Sequence, residues 1–337
     1  MVPSILRVSG RNCHEQSVVR AKIRKARLGA AVYFTDSLRI YADPIRLVRV
    51  PRCAMFSLPS SSWTAAVRGV LYHDPAVVGG VAVALLLGTY GLFGMAVDLP
   101  LVVAGFCATT LVYAVDRGWR VPAEDRTNRP ARVAWVEGHR GWLGVEAGLL
   151  VALGGAMVPA LEPRTLVGAG ALGGIAMLQV APGRAGLAGL SKPLVIAATW
   201  AVGGGLLPLM EAGRPLGLDA ALFGGYRFLF ILPNLLLADW ADRAGDAAAH
   251  RAPWTTGWTA GQVRRLATGL LLGAALVAAV WGARTPRPVL LAVDAWGLLL
   301  MLAVVWRRSP SYPRNVLLAD LVVAWPVVPA LGAWMIV

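Results

Sequence analysis

Charged residues are sparse in this chain: only 15% of its 337 residues are Asp, Glu, Lys or Arg, and 57% are hydrophobic. Soluble domains carry about 25% charge, so a water-exposed globular fold is excluded and a membrane protein is indicated. Cysteine is scarcer still. Cys13, Cys53 and Cys107 lie far apart and form no C-x-x-C, which argues against a disulfide framework and a thiolate metal site. No apolar stretch follows the basic run from Arg20 to Arg27, so the N-terminus does not read as a secretory signal, and the first spanning helix has to direct insertion. No Gly-Lys-Ser/Thr follows Gly203-Gly204-Gly205, which rules out a phosphate loop; at membrane depth, ahead of Pro208, these glycines predict a kink or a cavity wall. Neither His139 nor His250 has a second His or Cys at ligand spacing, and both read as ordinary polar loop residues.

The charge that is present is unevenly placed. The net charge is +14, and residues 1 to 75, with 12 Lys+Arg against 4 acids, supply +8 of it. Nucleic-acid binding would need a basic face with interleaved aromatics on a soluble module. Here the arginines flank apolar runs, as topology signals do. The first 74 residues lack sustained apolar periodicity and predict a poorly ordered or surface-lying basic leader, with Met55 as an alternative start; the membrane domain is expected over 75–337.

A bilayer core of about 30 Å takes about 20 helical residues. Apolar runs of that order occur at 76–95, 99–115, 141–160, 164–181, 193–210, 218–238, 266–282, 288–306 and 316–337. They predict an all-α integral membrane protein of about nine spans. If the leader is cytoplasmic, the loops at 117–140, 182–192, 239–265 and 307–315 lie with it and hold 15 Lys+Arg, whereas the opposite loops hold four, Arg164, Arg214, Arg284 and Arg287. The positive-inside rule then orients every hairpin, with the N-terminus inside a bacterial-type inner membrane. Glycines cluster within the spans, as in Gly168 to Gly174, where small residues are expected to let helix backbones approach closely.

Chemistry concentrates at two inner loops. In Asn234-Leu-Leu-Leu-Ala-Asp239-Trp-Ala-Asp242-Arg-Ala-Gly-Asp246, three carboxylates end a spanning helix at offsets of three and seven, on one face. Like charges so placed repel and need a counter-charge, which a divalent metal supplies; the alternative is a solvated turn paired with Arg243 and Arg251. Mg²⁺ prefers carboxylate oxygens and bridges protein to substrate phosphates, so the triplet suits a diphosphate ester. A second acidic loop, Asp116-Arg-Gly-Trp-Arg120-Val-Pro-Ala-Glu124-Asp125, ends a span on the same side.

Two Asp-rich inner loops four spans apart in a nine-helix chain resemble the UbiA superfamily of intramembrane prenyltransferases, over roughly residues 70 to 337. In that family both motifs run Asp-x-x-Asp-x-x-x-Asp, the first usually preceded by Asn. Asp239, Asp242 and Asp246 match the second position by position. The first departs: Trp119 and Ala123 stand where Asp is asked for, Val115 stands for Asn, Asp116 is kept, and Asp125 needs a local shift around Pro122. The family's Asn/Arg-Pro feature follows as Asn128-Arg-Pro-Ala-Arg132.

The resemblance implies helices around a central cavity and Mg²⁺ held by Asp116, Asp125, Asp239, Asp242 and Asp246. Asp116, Asp239 and Asp242 would act in catalysis, and Lys192, Arg126, Arg243 and Asn234 would contact a prenyl diphosphate. Lys192 reads equally as a positive-inside anchor. The implied reaction is Mg²⁺-dependent transfer of the prenyl group to an aromatic or quinone-precursor acceptor within the bilayer. A terpene cyclase of the same fold, or a catalytically weak isoprenoid-binding or scaffold homologue, would use the same residues. The membrane CDP-alcohol phosphotransferases also use Asp clusters, but their Asp-Gly-x-x-Ala-Arg opening is absent from both loops.

Overall fold

The computed structural model of the chain describes residues 62–119, 121, 123–180, 191–248, 257–307 and 312–335. The leader up to residue 61, the predicted loop residues Arg120, Pro122, His250 and Arg251, and most of the 182–192 loop lie outside that set. Within it the chain forms helices and no strand. Helix α1 (Ser62–His73) ends just before Pro75, the N-cap of the next helix. There follow α2 (Ala76–Phe93), α3 (Leu99–Ala114), a π turn (Val115–Trp119), α4 (Ala123–Asn128), α5 (Pro130–Met157), α6 (Pro163–Val180) and α7 (Ser191–Ala201). A second π turn (Val202–Leu206) leads into α8 (Leu207–Glu211), followed by α9 (Leu218–Ala248), α10 (Ala260–Gly282), α11 (Pro288–Trp306), α12 (Tyr312–Val323) and α13 (Val327–Met335).

Seven helical stretches of the described residues are long and apolar enough to cross a membrane, and the pair formed by α12 and α13, bent by 40°, makes an eighth if taken as one broken span. The ninth expected run, 164–181, is present as the 18-residue α6 but is not among them: Arg164 and Gln179 occupy its ends, leaving a short apolar stretch between. The third run starts earlier than expected, at Pro130, and turns through a non-helical His139 (φ −118°, ψ 16°) before the apolar part. The last run breaks at Trp325-Pro326, where proline lacks a backbone donor and the Trp325 indole instead donates to the Val293 carbonyl at 2.9 Å.

The glycine readings divide. Val202 to Leu206 forms the predicted irregularity, and the Thr89 hydroxyl donates to the Gly204 carbonyl at 2.7 Å, satisfying an oxygen that a regular helix would have bonded itself. A Cβ on Gly168 would stand 2.9 Å from Leu207, whereas Gly170, Gly173 and Gly174 have open space beside them among the described residues. That stretch of α6 therefore owes its glycines to no contact described. Closer approaches occur elsewhere: a Cβ on Gly88 would meet Pro326 at 2.4 Å, and one on Gly91 would meet the Ala330 backbone at 2.7 Å, so α2 lies directly against the α12–α13 break and α13.

The core gathers on α9, with Phe223, Tyr226, Phe230 and Leu236 all at most 1% exposed. On α10 the buried residues Ala267, Leu271, Ala274, Ala278 and Trp281 recur every three or four positions and make one face, which packs on α9. The other face shows Leu272 and Leu276 at 66% and 67% exposure, and α5 likewise displays Val145, Leu149 and Val151. Apolar surface of that extent is costly in water and costs nothing in lipid, so the exposed sides fit a multi-pass membrane protein.

Candidate functional site

The first acidic loop meets the acidic end of α9 through Asn128 and Arg129. Pro130 opens α5, where its missing N–H would have had no helical partner. Proline also keeps the residue before it out of the helical region, and Arg129 adopts φ −138°, ψ 51°. The backbone thus breaks between α4 and α5. Arg129 projects onto α9: its Nε donates to Asp242 Oδ1 at 3.3 Å and its terminal nitrogen to Asp242 Oδ2, a two-pronged guanidinium–carboxylate pair. Asn128 engages the backbone of the same turn, donating to the Asp242 carbonyl at 2.7 Å and accepting from the Gly245 N–H at 2.9 Å. Glycine is required there, because a Cβ at 245 would lie 2.3 Å from the Asn128 amide nitrogen.

Asp125 is buried at 7% exposure and paired with Arg132, one turn into α5. Asp116 lies exposed in the π turn that ends α3, beside Arg117, whose guanidinium stacks 4.7 Å from the Tyr113 ring centre. Asp239 and Asp246 are partly buried on the last turns of α9. The structure therefore brings Asp242 to the first loop and Asp125 to Arg132, yet no three Asp, Glu, His or Cys side chains among the described residues converge on one point as a metal would require. The arginines of the Asn-Arg-Pro-Ala-Arg segment occupy the carboxylates instead.

The remaining predicted residues are spread out. Asn234, two turns before Asp242, donates to Asp320 Oδ1 at 3.0 Å. Arg126 pairs with Glu137 at 3.1 Å in the open. Arg243 donates to the Trp240 carbonyl at 2.6 Å and lies 3.9 Å over that indole. Lys192 is exposed on the first turn of α7. His139, read as a loop residue, instead marks the bend of α5, stacked 4.5 Å from Trp135. His73 of α1 also contacts Trp135, with ring centres 6.1 Å apart, and its imidazole is pushed below its usual range by burial and then by the Arg132 charge.

Two groups escaped the sequence reading. Asp320 reaches the site from the final span. Deeper, Arg227 of α9 and Asp294 of α11 form a pair at 2.9 and 3.2 Å, with the Tyr226 hydroxyl donating to the same carboxylate at 2.6 Å, all three at most 1% exposed. The signal was present: a lone Arg in the 218–238 run and a lone Asp in the 288–306 run are expensive in a membrane unless they pair.

No family model matches the sequence, and no curated protein matches it closely. Solved structures do resemble the fold. A UbiA homologue from Archaeoglobus fulgidus bound to GPP and Mg²⁺ aligns with a TM-score of 0.58 at 12% identity, over 79% of this chain and 99% of that one. A UbiA homologue from that organism bound to DMAPP and Mg²⁺ gives 0.54 at 12% identity, over 80% and 99%. A third structure of a UbiA homologue from that organism gives 0.55 at 13% identity, over 79% and 98%. The chain has the UbiA fold, and the acidic motifs stand within it.

Proposed function

We propose that this protein transfers the prenyl group of a prenyl diphosphate to a hydrophobic, aromatic or quinone-precursor acceptor inside the membrane, with Mg²⁺ as cofactor. The observation that carries this reading is the docking of the first acidic loop on the second through Asn128, Arg129 and Asp242, in a fold whose solved neighbours are bound to prenyl diphosphates and Mg²⁺. The donor set suits that ion in kind, being carboxylate oxygens on two facing elements. Asp239, Asp242 and Asp246 are the candidates for one ion and Asp116 with Asp125 for a second, each ion sharing one or two of these carboxylates with the substrate's phosphates. When bound, Mg²⁺ would neutralise the departing diphosphate.

The chain's own part is to place and protect. Arg129 and Arg132, with Lys192, Arg126, Arg243 and Asn234 as the further candidates, supply donors to phosphate oxygens. Closely packed apolar helices keep water from an allylic cation. The 15 Lys+Arg of the loops on this side support a cytoplasmic site, in a chain that this reading assigns to a bacterial-type inner membrane. Residues 1–74 are a leader in this reading, preceding the membrane domain at 75–337.

One observation favours a second reading, an isoprenoid-binding or scaffold homologue without strong turnover: the first motif lacks two Asp, and arginines already neutralise Asp125 and Asp242. Membranes carrying Asp116→Asn or Asp242→Asn separate the two. Loss of a metal-borne contact worth several kcal/mol lowers the rate by about 10²-fold or more. Mg²⁺-dependent consumption of labelled geranyl diphosphate should collapse in both, at unchanged protein levels. Asp98→Asn should leave it intact, because Asp98 caps α3 at the opposite end by accepting from the Leu101 N–H at 2.7 Å. Rates like the wild type in both variants would overturn the metal roles of Asp116 and Asp242 and favour the binding or scaffold reading.

A further inference from the structure

We propose that Arg129 and Arg132 are internal counter-ions that hold Asp242 and Asp125 closed to metal until a diphosphate arrives to take the guanidiniums. The site is thereby loaded by the metal–diphosphate pair and not by free metal. This rests on the reading that those carboxylates are metal ligands.

Three observations lead to it. Both oxygens of Asp242 already face Arg129, and Asp125 is held by Arg132 at a buried position. A divalent ion competes with the guanidiniums for both Asp242 oxygens and for Asp125 Oδ2. Second, the displaced guanidiniums would lie among like charges, with Asp320 as a neighbouring acid. Arg117 and Arg129 both act electrostatically on Arg132, and His73 feels Arg132 and Arg117 as well. Adding a dication while stripping two arginines of their partners concentrates positive charge in a partly buried place, which is unfavourable. A diphosphate reverses the balance, because its oxygens accept two-pronged guanidinium bonds as a carboxylate does. Third, the docking of the two loops has a second hold besides the ion pairs. Asn128 fastens α4 to the α9 backbone through uncharged bonds at 2.7 and 2.9 Å, so Arg129 can change partners while the carboxylates stay in place.

The coupling is reciprocal: diphosphate raises metal affinity by the factor by which metal raises diphosphate affinity. Purified full-length protein in detergent would be titrated with Mn²⁺ alone and with preformed Mn²⁺–pyrophosphate, bound metal being read from the loss of the free Mn²⁺ resonance. The wild type should bind the complex at least about 10-fold more tightly than the ion, the scale of a typical coupling between sites. Arg129→Gln should take up Mn²⁺ alone about 10-fold more tightly than the wild type and lose most of the pyrophosphate advantage. Arg129→Lys, which keeps the charge, should retain the wild-type pattern. Because Arg129 is partly exposed, with 18% of its side chain accessible, its loss should leave the fold intact, and the Lys variant guards against a failure of the Gln variant to fold. Uptake of Mn²⁺ alone by Arg129→Gln no better than wild type, while the wild type still binds the complex, would overturn the exchange and leave the functional reading standing. Failure of every protein to bind Mn²⁺ in either form would sink both.

Discussion

Helix α9 carries ion pairs at two depths. Arg227 lies nine residues into it and meets Asp294 where neither is more than 1% exposed; Asp242, fifteen residues further, meets Arg129 where 18% and 23% of the two side chains are accessible. At about 1.5 Å per residue the sites are roughly 22 Å apart along one helix. The deep pair is closed off: its carboxylate takes two guanidinium bonds and a tyrosine hydroxyl, and Phe223 and Tyr226 lie 4.9 and 5.2 Å from the guanidinium carbon. The pair at the acidic end is open on one side and adjoins further charges, Arg117, Arg132 and Asp320. The same chemical contact therefore serves two ends. Where nothing can exchange with it, the pair fixes how α9 and α11 pack; where water and solutes reach it, the pair can be traded.

The largest expected effect breaks the deep pair. Asp294→Ala leaves the Arg227 charge buried without its partner, which should cost about 3–5 kcal/mol in denaturation of the purified protein. Replacing both, as Arg227→Met with Asp294→Leu, should recover most of that, since no buried charge then remains. A double variant as unstable as the single one would show that the pair contributes more than neutralisation. Next, Asn128→Ala removes two bonds that hold α4 to α9 and leaves the Gly245 N–H without its acceptor; about 1–3 kcal/mol of stability should be lost. Prenyl diphosphate consumption should fall with it if docking supports the site, and unchanged turnover would separate docking from chemistry. The smallest effect is expected at Arg126→Gln, whose pair with Glu137 is exposed at 60% and 42%, so the change in stability should stay within about 1 kcal/mol. A marked loss of turnover at unchanged stability would assign Arg126 to the substrate.

The contrast also marks how much could be read from residues in order. Helix positions were legible because a bilayer demands long uninterrupted apolar runs, and eight of the nine expected runs appear as spans once α12 and α13 are counted together. The register of Asp239, Asp242 and Asp246 on one helix followed from spacing alone. Partners were not legible. Asn128 to Asp242 and Arg227 to Asp294 cross 114 and 67 positions, and nothing local in the sequence distinguishes an arginine that will meet a carboxylate from one that flanks a loop. Arg129 and Arg132 were counted as topology charges, and only the pre-proline break that turns Arg129 toward α9 shows their second use.

The contact of Gly88 and Gly91 with Pro326 and Ala330 closes the bundle by joining its first long span to its last helices. Backbone surfaces that fit this tightly cannot be replaced by a neighbouring span during insertion, so the seam at α2 stays open until residue 326 has been made. At about 20 residues per second, synthesis of the intervening stretch lasts about 12 s, during which the helix must wait in lipid with its glycine face uncovered. Biogenesis of this protein is thus a delayed ring closure, and a bulkier residue at position 88 should trap an inserted but unclosed chain while sparing targeting.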